Sequence, residues 1–239
     1  MSTFVISDLH GCFDEFKAML KLIQFTEYDE MYIVGDVCDR GQQPIPLLQF
    51  IMQHKNMHVV MGNHDLWLST YAYDLIEGKR HPEHLRFMEA DFLNWIHYNG
   101  GYVTMDQFMD CDFPACYDMQ EYMEKLPYYK ELDLRGKKYM LVHAGLGPDW
   151  RMGLPVCEIP VSDLIWPHIG IDDNPYPDVT MIVGHMPTFL YGSQYNGKIL
   201  HGKNLLHIDC GCVFGRALGC IRLDDMQEFY IPSTYPYLT

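Results

Sequence analysis

Positive charge is scarce in this sequence. Its 239 residues include 17 Lys and Arg against 32 Asp and Glu, which gives a formal net charge of -15 at pH 7. Non-specific binding to nucleic acid or to an anionic membrane surface requires a basic face, so we expect neither as a partner. Bound divalent cations can reverse the sign of the local field, and an acidic surface is therefore compatible with a site for an anionic ligand.

Long apolar runs and paired cysteines are also missing. No apolar stretch approaches the roughly 20 residues needed to cross a bilayer, and residues 1–3 lead directly into a strand-like run instead of a secretory leader. The eight cysteines include no C-x-x-C pair, the spacing typical of structural zinc sites. We expect buried, reduced thiols and a cytoplasmic location.

The first 65 residues repeat one pattern. Short apolar runs at residues 3–7, 31–34 and 57–61 alternate with helical spacing of apolar residues in 13–23 and 44–53. This alternation predicts a βαβαβ unit with a parallel sheet. Ligands of such sheets bind beyond the carboxyl ends of the strands, so the polar residues that follow each strand are the first candidates for a site.

Residues 66–130 interrupt this rhythm and are predicted to be a mostly helical insert near the active site. Helices are expected at 66–76, 84–96 and 120–125, with an irregular stretch at 110–118. Strands are predicted again at residues 138–142, 179–183, 205–208, 219–223 and 228–231. Because strands resume after the insert, we expect one domain over residues 1–239. The predicted fold class is α/β (α+β), with two packed sheets flanked by helices.

Five predicted strands end in side chains that can bind metal ions. They are Asp8 with His10, Asp36 with Asp39, Asn63 with His64, His143, and His185. Carboxylates, imidazoles and one neutral amide favour two adjacent divalent transition metals, manganese, iron or zinc. Asp36, on the central strand, is the candidate to bridge them. Any one of these residues alone would more often be a turn or core residue, but buried carboxylates and histidines cost free energy unless they are paired or metal-bound.

Two further side chains complete a hydrolytic mechanism. Arg40 lies on the same loop as Asp36, and its guanidinium fork can grip two phosphate oxygens. His64 follows the candidate ligand Asn63, and it can protonate a leaving alkoxide if either Asp39 or Asp65 orients it. The nucleophile would be a water that bridges two metal ions.

These segments together resemble a known superfamily. They are Asp8-Leu-His-Gly11, Gly35-Asp-Val-Cys-Asp-Arg-Gly41, Gly62-Asn-His-Asp65, Val142-His-Ala-Gly145 and Gly184-His185. In order and spacing they resemble the calcineurin-like metallophosphoesterases. Asp39-Arg-Gly41 is similar to the phosphoprotein phosphatase (PPP-type) branch. Three further segments resemble the compact bacterial and phage members of that branch: Asn99-Gly-Gly101 with Thr104, the Trp166 segment and residues 207–214.

The resemblance implies a two-sheet αββα sandwich and roles for individual residues. One metal ion would be held by Asp8, His10 and Asp36. The other would be held by Asp36, Asn63, His143 and His185. Arg40, Asn63 and His64 would contact the phosphate, His64 would assist departure of the leaving group, and Asp39 would support His64.

Three positions depart from the family pattern. Ser7 replaces the usual glycine before the first aspartate. Asp65 stands where protein phosphatases more often have Glu, although Asp is common there in the related diadenosine tetraphosphatases. The family's second phosphate-binding arginine is expected just after Trp166, where this chain has Pro167 and His168. His168 is therefore a candidate for part of that phosphate contact, and Arg151 and Arg216 are alternatives from elsewhere in the chain.

Three functions are compatible with these residues. The leading hypothesis is a phosphoserine/phosphothreonine protein phosphatase, which would cleave phosphopeptides with a higher kcat/KM than diadenosine tetraphosphate. The second is a diadenosine tetraphosphate or nucleotide phosphohydrolase with the same metals. The third is a metal-binding scaffold without catalysis, against which the intact set of His64, Arg40 and ligands argues. The partner is thus a phosphorylated protein or a small phosphoester.

Overall fold

The first sheet has β1 at its centre, flanked by strands from both ends of the chain. The computed structural model describes residues 1–83, 90–147, 154–174 and 176–236. In spatial order the strands of this sheet are β10 (Gln227–Pro232), β9 (Ala217–Arg222), β1 (Thr3–Ile6), β2 (Glu30–Val34) and β3 (Met57–Val60). β1, β2 and β3 are parallel, and β9 is antiparallel to β1. The predicted βαβαβ unit is therefore confirmed.

Two helices connect these parallel strands. α1 (Phe13–Leu22) links β1 to β2, and α2 (Pro44–Met52) links β2 to β3. Pro44 lies in the first turn of α2, where a missing N–H removes no helical hydrogen bond. The carboxyl ends of β1, β2 and β3 consequently lie at one edge of the sheet.

The second sheet repeats this arrangement. In spatial order its strands are β4 (Tyr129–Leu134), β5 (Lys137–Val142), β6 (Val179–Val183), β8 (Leu205–His207) and β7 (Leu200–Gly202). β5, β6 and β8 are parallel to one another, while β4 and β7 are antiparallel edge strands. Sequence reasoning did not predict β4 or β7. The chain turns that follow β5, β6 and β8 again share one edge.

The two sheets pack face to face. Val5, Val34 and Val60 of the first sheet share a buried apolar cluster with Leu141 and Ile182 of the second. Side chains alternate between the two faces of a strand, so Phe4 and Ile6 turn away from Val5 and pack against the helices instead. The result is the predicted two-sheet sandwich with helices on its outer faces.

The remaining helices cover the outer faces. They are α3 (Asn63–Arg80), α4 (Ala90–Tyr98), α5 (Gly101–Asp110), α6 (Phe113–Glu124) and α7 (Val161–Ile165). None of the described helices is both long and apolar enough to cross a bilayer. The prediction of an irregular stretch at 110–118 was wrong. Asp112 caps α6 by accepting the Ala115 N–H, and a proline occupies its first turn, so two local signals for a helix start outweigh the low periodicity.

Candidate active site

The loops after the strands meet at one edge of the sandwich in an unusual backbone conformation. In the described part of the chain, ten non-glycine residues have positive φ, and six of them are Asp8, His10, Asp36, Asp39, Arg40 and His185. Left-handed backbone at non-glycine residues is costly and persists where the surroundings enforce it, which is often at functional sites. The strain is thus concentrated on residues that the sequence nominated for chemistry.

Asp36 occupies the centre of the cluster. Its Oδ2 lies 3.5 Å from Nε2 of His10 and 3.4 Å from Nε2 of His143. Two groups of side chains that could hold a cation share Asp36: it lies with His10 and His64 in one group, and with His143 and His185 in the other. Asp36 is therefore placed where one carboxylate can reach two ions.

Asn63 joins the second group. Its Oδ1 lies 3.0 Å from Nε2 of His143 and 3.0 Å from Nδ1 of His185. The other ring nitrogen of His143 lies 3.0 Å from the Val34 carbonyl oxygen. A backbone carbonyl in that place accepts the Nδ1–H and leaves the Nε2 lone pair toward the cluster, as in metal-binding histidines.

Asp8 lies beside these groups, in neither of them. Both of its carboxylate oxygens accept from the His185 backbone N–H, at 3.0 and 3.1 Å. A Cβ on Gly184 would lie 2.1 Å from Asp8 Oδ2, so only glycine lets this loop approach the carboxylate. Burial, together with the neighbouring Asp209 carboxylate, raises the Asp8 pKa well above its usual range. A nearby cation would relieve that cost.

The electrostatics of the cluster suit divalent cations. Burial lowers the pKa of His143, but the Asp36 carboxylate outweighs it and raises the pKa to about 10. Burial raises the pKa of Asp36, whereas the charge on His143 holds it well below its usual range. A cation bound here would replace the His143 proton, since only neutral imidazole coordinates metal. The nitrogen and oxygen donors fit manganese, iron or zinc better than calcium.

Asp39, His64 and Arg40 form a second network next to Asp36. His64 Nδ1 lies 2.7 Å from Asp39 Oδ2. Arg40 donates from Nη2 to His64 Nε2 at 2.8 Å and from Nη1 to His10 Nε2 at 2.8 Å. The guanidinium therefore lies between the candidate metal ligands and the candidate general acid, where a bound phosphate would meet it.

This combination of fold and site has known counterparts. Residues 1–211 match the profile of the family described as calcineurin-like phosphoesterase. The chain belongs to the calcineurin-like phosphoesterase family. The family uses a dinuclear metal site, and this calcineurin-like phosphoesterase is accordingly a metal-dependent hydrolase.

Two relatives of this calcineurin-like phosphoesterase carry the same name. A symmetrical bis(5'-nucleosyl)-tetraphosphatase of Haemophilus ducreyi is 30% identical over 154 residues, which cover 64% of this chain and 48% of the relative. The protein of the same name from Vibrio parahaemolyticus is 24% identical over 270 residues, which cover 96% of this chain and 98% of the relative. The chain thus aligns with about half the length of the first and nearly all of the second.

The fold alone does not separate the candidate substrates. A protein serine/threonine phosphatase from Saccharomyces cerevisiae has a TM-score of 0.53 and 14% identity, and the match covers 100% of this chain and 81% of that one. Identity at this level shows a shared fold and no more. The site and the relatives of this calcineurin-like phosphoesterase, and not its fold, bear on its substrate.

Sequence reasoning left open whether Asp39 or Asp65 orients His64, and the geometry answers in favour of Asp39. Asp65 instead accepts backbone N–H groups from Val37 and Cys38 at 2.9 and 3.2 Å, and from Gly62 at 3.2 Å. It therefore ties the loop after β2 to the loop after β3. Replacing the usual Glu by the shorter Asp leaves that link intact.

Two side chains of the 66–130 segment contact Asp39. Trp95 donates its Nε1–H to Asp39 Oδ2 at 2.7 Å, and the Thr104 hydroxyl donates to Oδ1 at 2.6 Å. Thr104 also accepts the Asp39 backbone N–H at 2.9 Å. The pKa of Asp39 rises to about 7 because it is buried, and these two hydrogen bonds oppose the rise. Sequence reasoning mentioned Thr104 without a role and missed Trp95 as a partner of Asp39.

We expect Trp95→Phe to lower kcat by about 2- to 13-fold, since one buried hydrogen bond contributes about 0.5–1.5 kcal/mol. Phe keeps the ring but leaves Asp39 without the indole donor. Trp67→Phe is the matched control, because the Trp67 Nε1–H donates to Asp91 at 3.1 Å instead. Both kcat and metal content are to be measured. An equal fall in kcat in the two variants would show that Trp95 acts only through packing.

The structure also shows the position after Trp166 where the family's second phosphate-binding arginine is expected. His168 is exposed, and its ring centroid lies 5.8 Å from that of His185, so it lies beside the site, and its contact with phosphate stays a prediction. Arg216, one alternative, donates to the Phe214 carbonyl at 2.6 Å and packs 4.5 Å from the Phe189 ring. Arg151, the other alternative, lies outside the described residues.

Proposed function

We propose that this enzyme hydrolyses dinucleoside polyphosphates, cleaving the polyphosphate symmetrically into two nucleoside diphosphates. The observation that carries the proposal is the alignment with the Vibrio parahaemolyticus protein named symmetrical bis(5'-nucleosyl)-tetraphosphatase. This alignment covers 96% of this chain and 98% of that relative. The relatives thus favour the second hypothesis over the protein phosphatase that the sequence motifs put first. Asp65 agrees with this choice, since it is the residue common in diadenosine tetraphosphatases.

A phosphoserine/phosphothreonine phosphatase is the second candidate. The Asp39-Arg-Gly41 element, which resembles that branch, is folded with Arg40 and Asp39 both bonded to His64. Arg40, His64 and Asp39 can act on either substrate, although the alkoxide that leaves from phosphoserine needs a proton from His64 more than a leaving nucleoside diphosphate does. The choice between the two candidates depends on how the enzyme binds the part of the substrate that lies beyond the reacting phosphate.

The residues that we propose as metal ligands surround Asp36, and in the first set Asp8 takes the place that His64 has in the geometric group. Asp8, His10 and Asp36 would hold one ion. Asn63, His143 and His185 would hold the other together with Asp36. Two divalent cations would activate a water nucleophile and neutralise charge that develops on the phosphate oxygens. We propose manganese as the metal, with iron and zinc as alternatives.

Arg40 and His64 are the residues we propose to act on the substrate. The Arg40 guanidinium would bind phosphate oxygens and orient the phosphorus for attack. Burial and the charge of Arg40 lower the His64 pKa to about 3. A phosphate that draws Arg40 away from Nε2 would leave that nitrogen free to carry the proton for the leaving group. Asn63 and His168 would complete the phosphate contacts.

The 66–130 segment has a place in this proposal. Its residues Trp95 and Thr104 bond to the Asp39 that orients His64. We propose that the segment is a mostly helical insert of a single domain over residues 1–239, and that the insert fixes the general acid while the sheets carry the metal ligands. The activity would then depend on the insert even where no insert residue touches substrate.

The test is a parallel measurement of kcat/KM with diadenosine tetraphosphate, a phosphoserine peptide and ATP, in buffer containing manganese. We expect diadenosine tetraphosphate to be preferred by tenfold or more, about 1.4 kcal/mol of transition-state binding, with ADP as the only nucleotide product. A tenfold preference for the phosphopeptide would establish the second candidate. Formation of ATP and AMP would contradict symmetrical cleavage.

A further inference from the structure

One tryptophan at the candidate active site is exposed to solvent. Trp166 ends α7 and has 43% of its surface exposed. Its ring centroid lies 6.5 Å from that of His185, which is one of the proposed metal ligands. Because the ring is exposed beside the cluster, a ligand bound there can reach it.

Trp166 is supported by the residues of the site. Its ring packs edge-on against Trp67, with 5.2 Å between centroids, and Trp67 in turn packs edge-on against His64 at 5.1 Å. Trp67 is 4% exposed. The three aromatic rings form a continuous row that begins at the candidate general acid and ends at the rim, so the indole of Trp166 is held in place beside the metal cluster.

Three other aromatic residues near the site do not offer such a surface. Trp67, Tyr71 and Trp95 of the 66–130 segment are buried, and Tyr71 and Trp95 stack on each other at 5.8 Å. The indole N–H groups of Trp67 and Trp95 also donate hydrogen bonds to Asp91 and Asp39, respectively. They belong to the framework of the site.

We propose that Trp166 is a stacking platform for a nucleobase of the substrate. The proposal rests on the proposed function, since it requires a substrate whose phosphates at the metal cluster are joined to a base. Stacking on an aromatic side chain tolerates any base, because every base has a π-face. The platform would also add binding energy beyond the phosphates: Pro167 and His168 occupy the position after Trp166 where a second arginine is expected, and the chain is acidic overall.

The test compares two inhibitors that differ in the base. p-Nitrophenyl phosphate serves as the reporter substrate, and ADP and inorganic pyrophosphate are the competitors, at saturating manganese. In Trp166→Leu we expect the inhibition constant of ADP to rise by about 5- to 140-fold, the equivalent of ~1–3 kcal/mol for one stacked base. The inhibition constant of pyrophosphate should change by less than about twofold.

Two matched variants control the comparison. Trp166→Phe keeps an aromatic face and should retain most of the ADP affinity. Tyr28→Leu removes another exposed aromatic, 71% exposed and located before β2, at the end of the first sheet opposite the site, and should leave both inhibition constants unchanged. Melting temperature and metal content of each variant identify any general loss of structure.

Three results would overturn the platform. They are an unchanged ADP constant in Trp166→Leu, an equal rise for ADP and pyrophosphate, and an equal rise for ADP and a phosphoserine peptide, which would make Trp166 a peptide contact. Failure of the proposed function looks different: diadenosine tetraphosphate would not be hydrolysed, while the selective effect on ADP would persist. Hydrolysis of diadenosine tetraphosphate with an unchanged ADP constant would reject the platform alone.

Discussion

We expect His64→Ala to lower kcat by roughly 10²–10⁴-fold, the usual range for loss of a general acid. The substrate that shows the full loss is phenyl phosphate, whose phenolate leaving group is basic. p-Nitrophenyl phosphate should show a smaller loss, because its leaving group hardly needs a proton. Metal content should stay at the wild-type level, since His64 is not among the proposed ligands. Steady-state kinetics with both esters, together with elemental analysis, measure the three quantities.

His58→Ala is the control for this experiment. His58 is exposed on β3 and pairs with Glu30 at 2.6 Å, away from the carboxyl end of the strand. The variant should retain wild-type kinetics with both esters. Equal losses of kcat on the two esters in His64→Ala would contradict a general-acid role and would point to phosphate binding as the main task of the residue.

Asp36→Asn should also nearly abolish activity. Asp36 is the side chain common to both candidate cation groups, so its replacement by a neutral amide weakens both sites. A metal ion that stabilises charge in the transition state contributes several kcal/mol, and we expect kcat to fall by about 100-fold or more. Elemental analysis should find fewer metal ions per chain than in the wild type.

Asp65→Asn is the matched control for Asp36→Asn. Asp65 is also fully buried and lies in the next motif, but it belongs to neither candidate cation group, and its oxygens accept the backbone N–H groups of Val37, Cys38 and Gly62. An amide nitrogen cannot accept the Gly62 N–H, which should destabilise the fold by about 1–3 kcal/mol and lower the melting temperature. The metal content should remain normal. Two retained metal ions and normal turnover in Asp36→Asn would exclude Asp36 as the shared ligand.

The candidate metal cluster could be predicted because its residues follow strands directly. Asp8, Asp36 and Asn63 come one or a few residues after apolar runs, and His143 and His185 do the same in the second half of the chain. Parallel strands bring their carboxyl ends to one edge, so local pattern and topology together determine the neighbours. The left-handed backbone at several of these positions had no signal in the sequence.

Contacts that depend on packing of the insert could not be predicted. Trp95 and Thr104 lie 56 and 65 residues from Asp39 in the sequence, and no periodicity relates them to it. A buried indole N–H needs a partner, but the sequence does not identify which one. The same limit applied to the orientation of His64, where Asp65 was an equal candidate until the backbone contacts of its carboxylate were known.

The position of β1 has a consequence for how the enzyme is made. β1 lies between β2 and β9, and the Thr3 N–H donates to the Asp224 carboxylate at 2.8 Å, 221 residues away. All proposed metal ligands precede residue 186, yet β1 acquires its antiparallel neighbour only with residues 217–222. Chains fold from the N-terminus during synthesis, and such distant pairing is slow. On the ribosome a nascent chain therefore carries all of the proposed ligands before the sheet that supports Asp8 and Asp36 is complete.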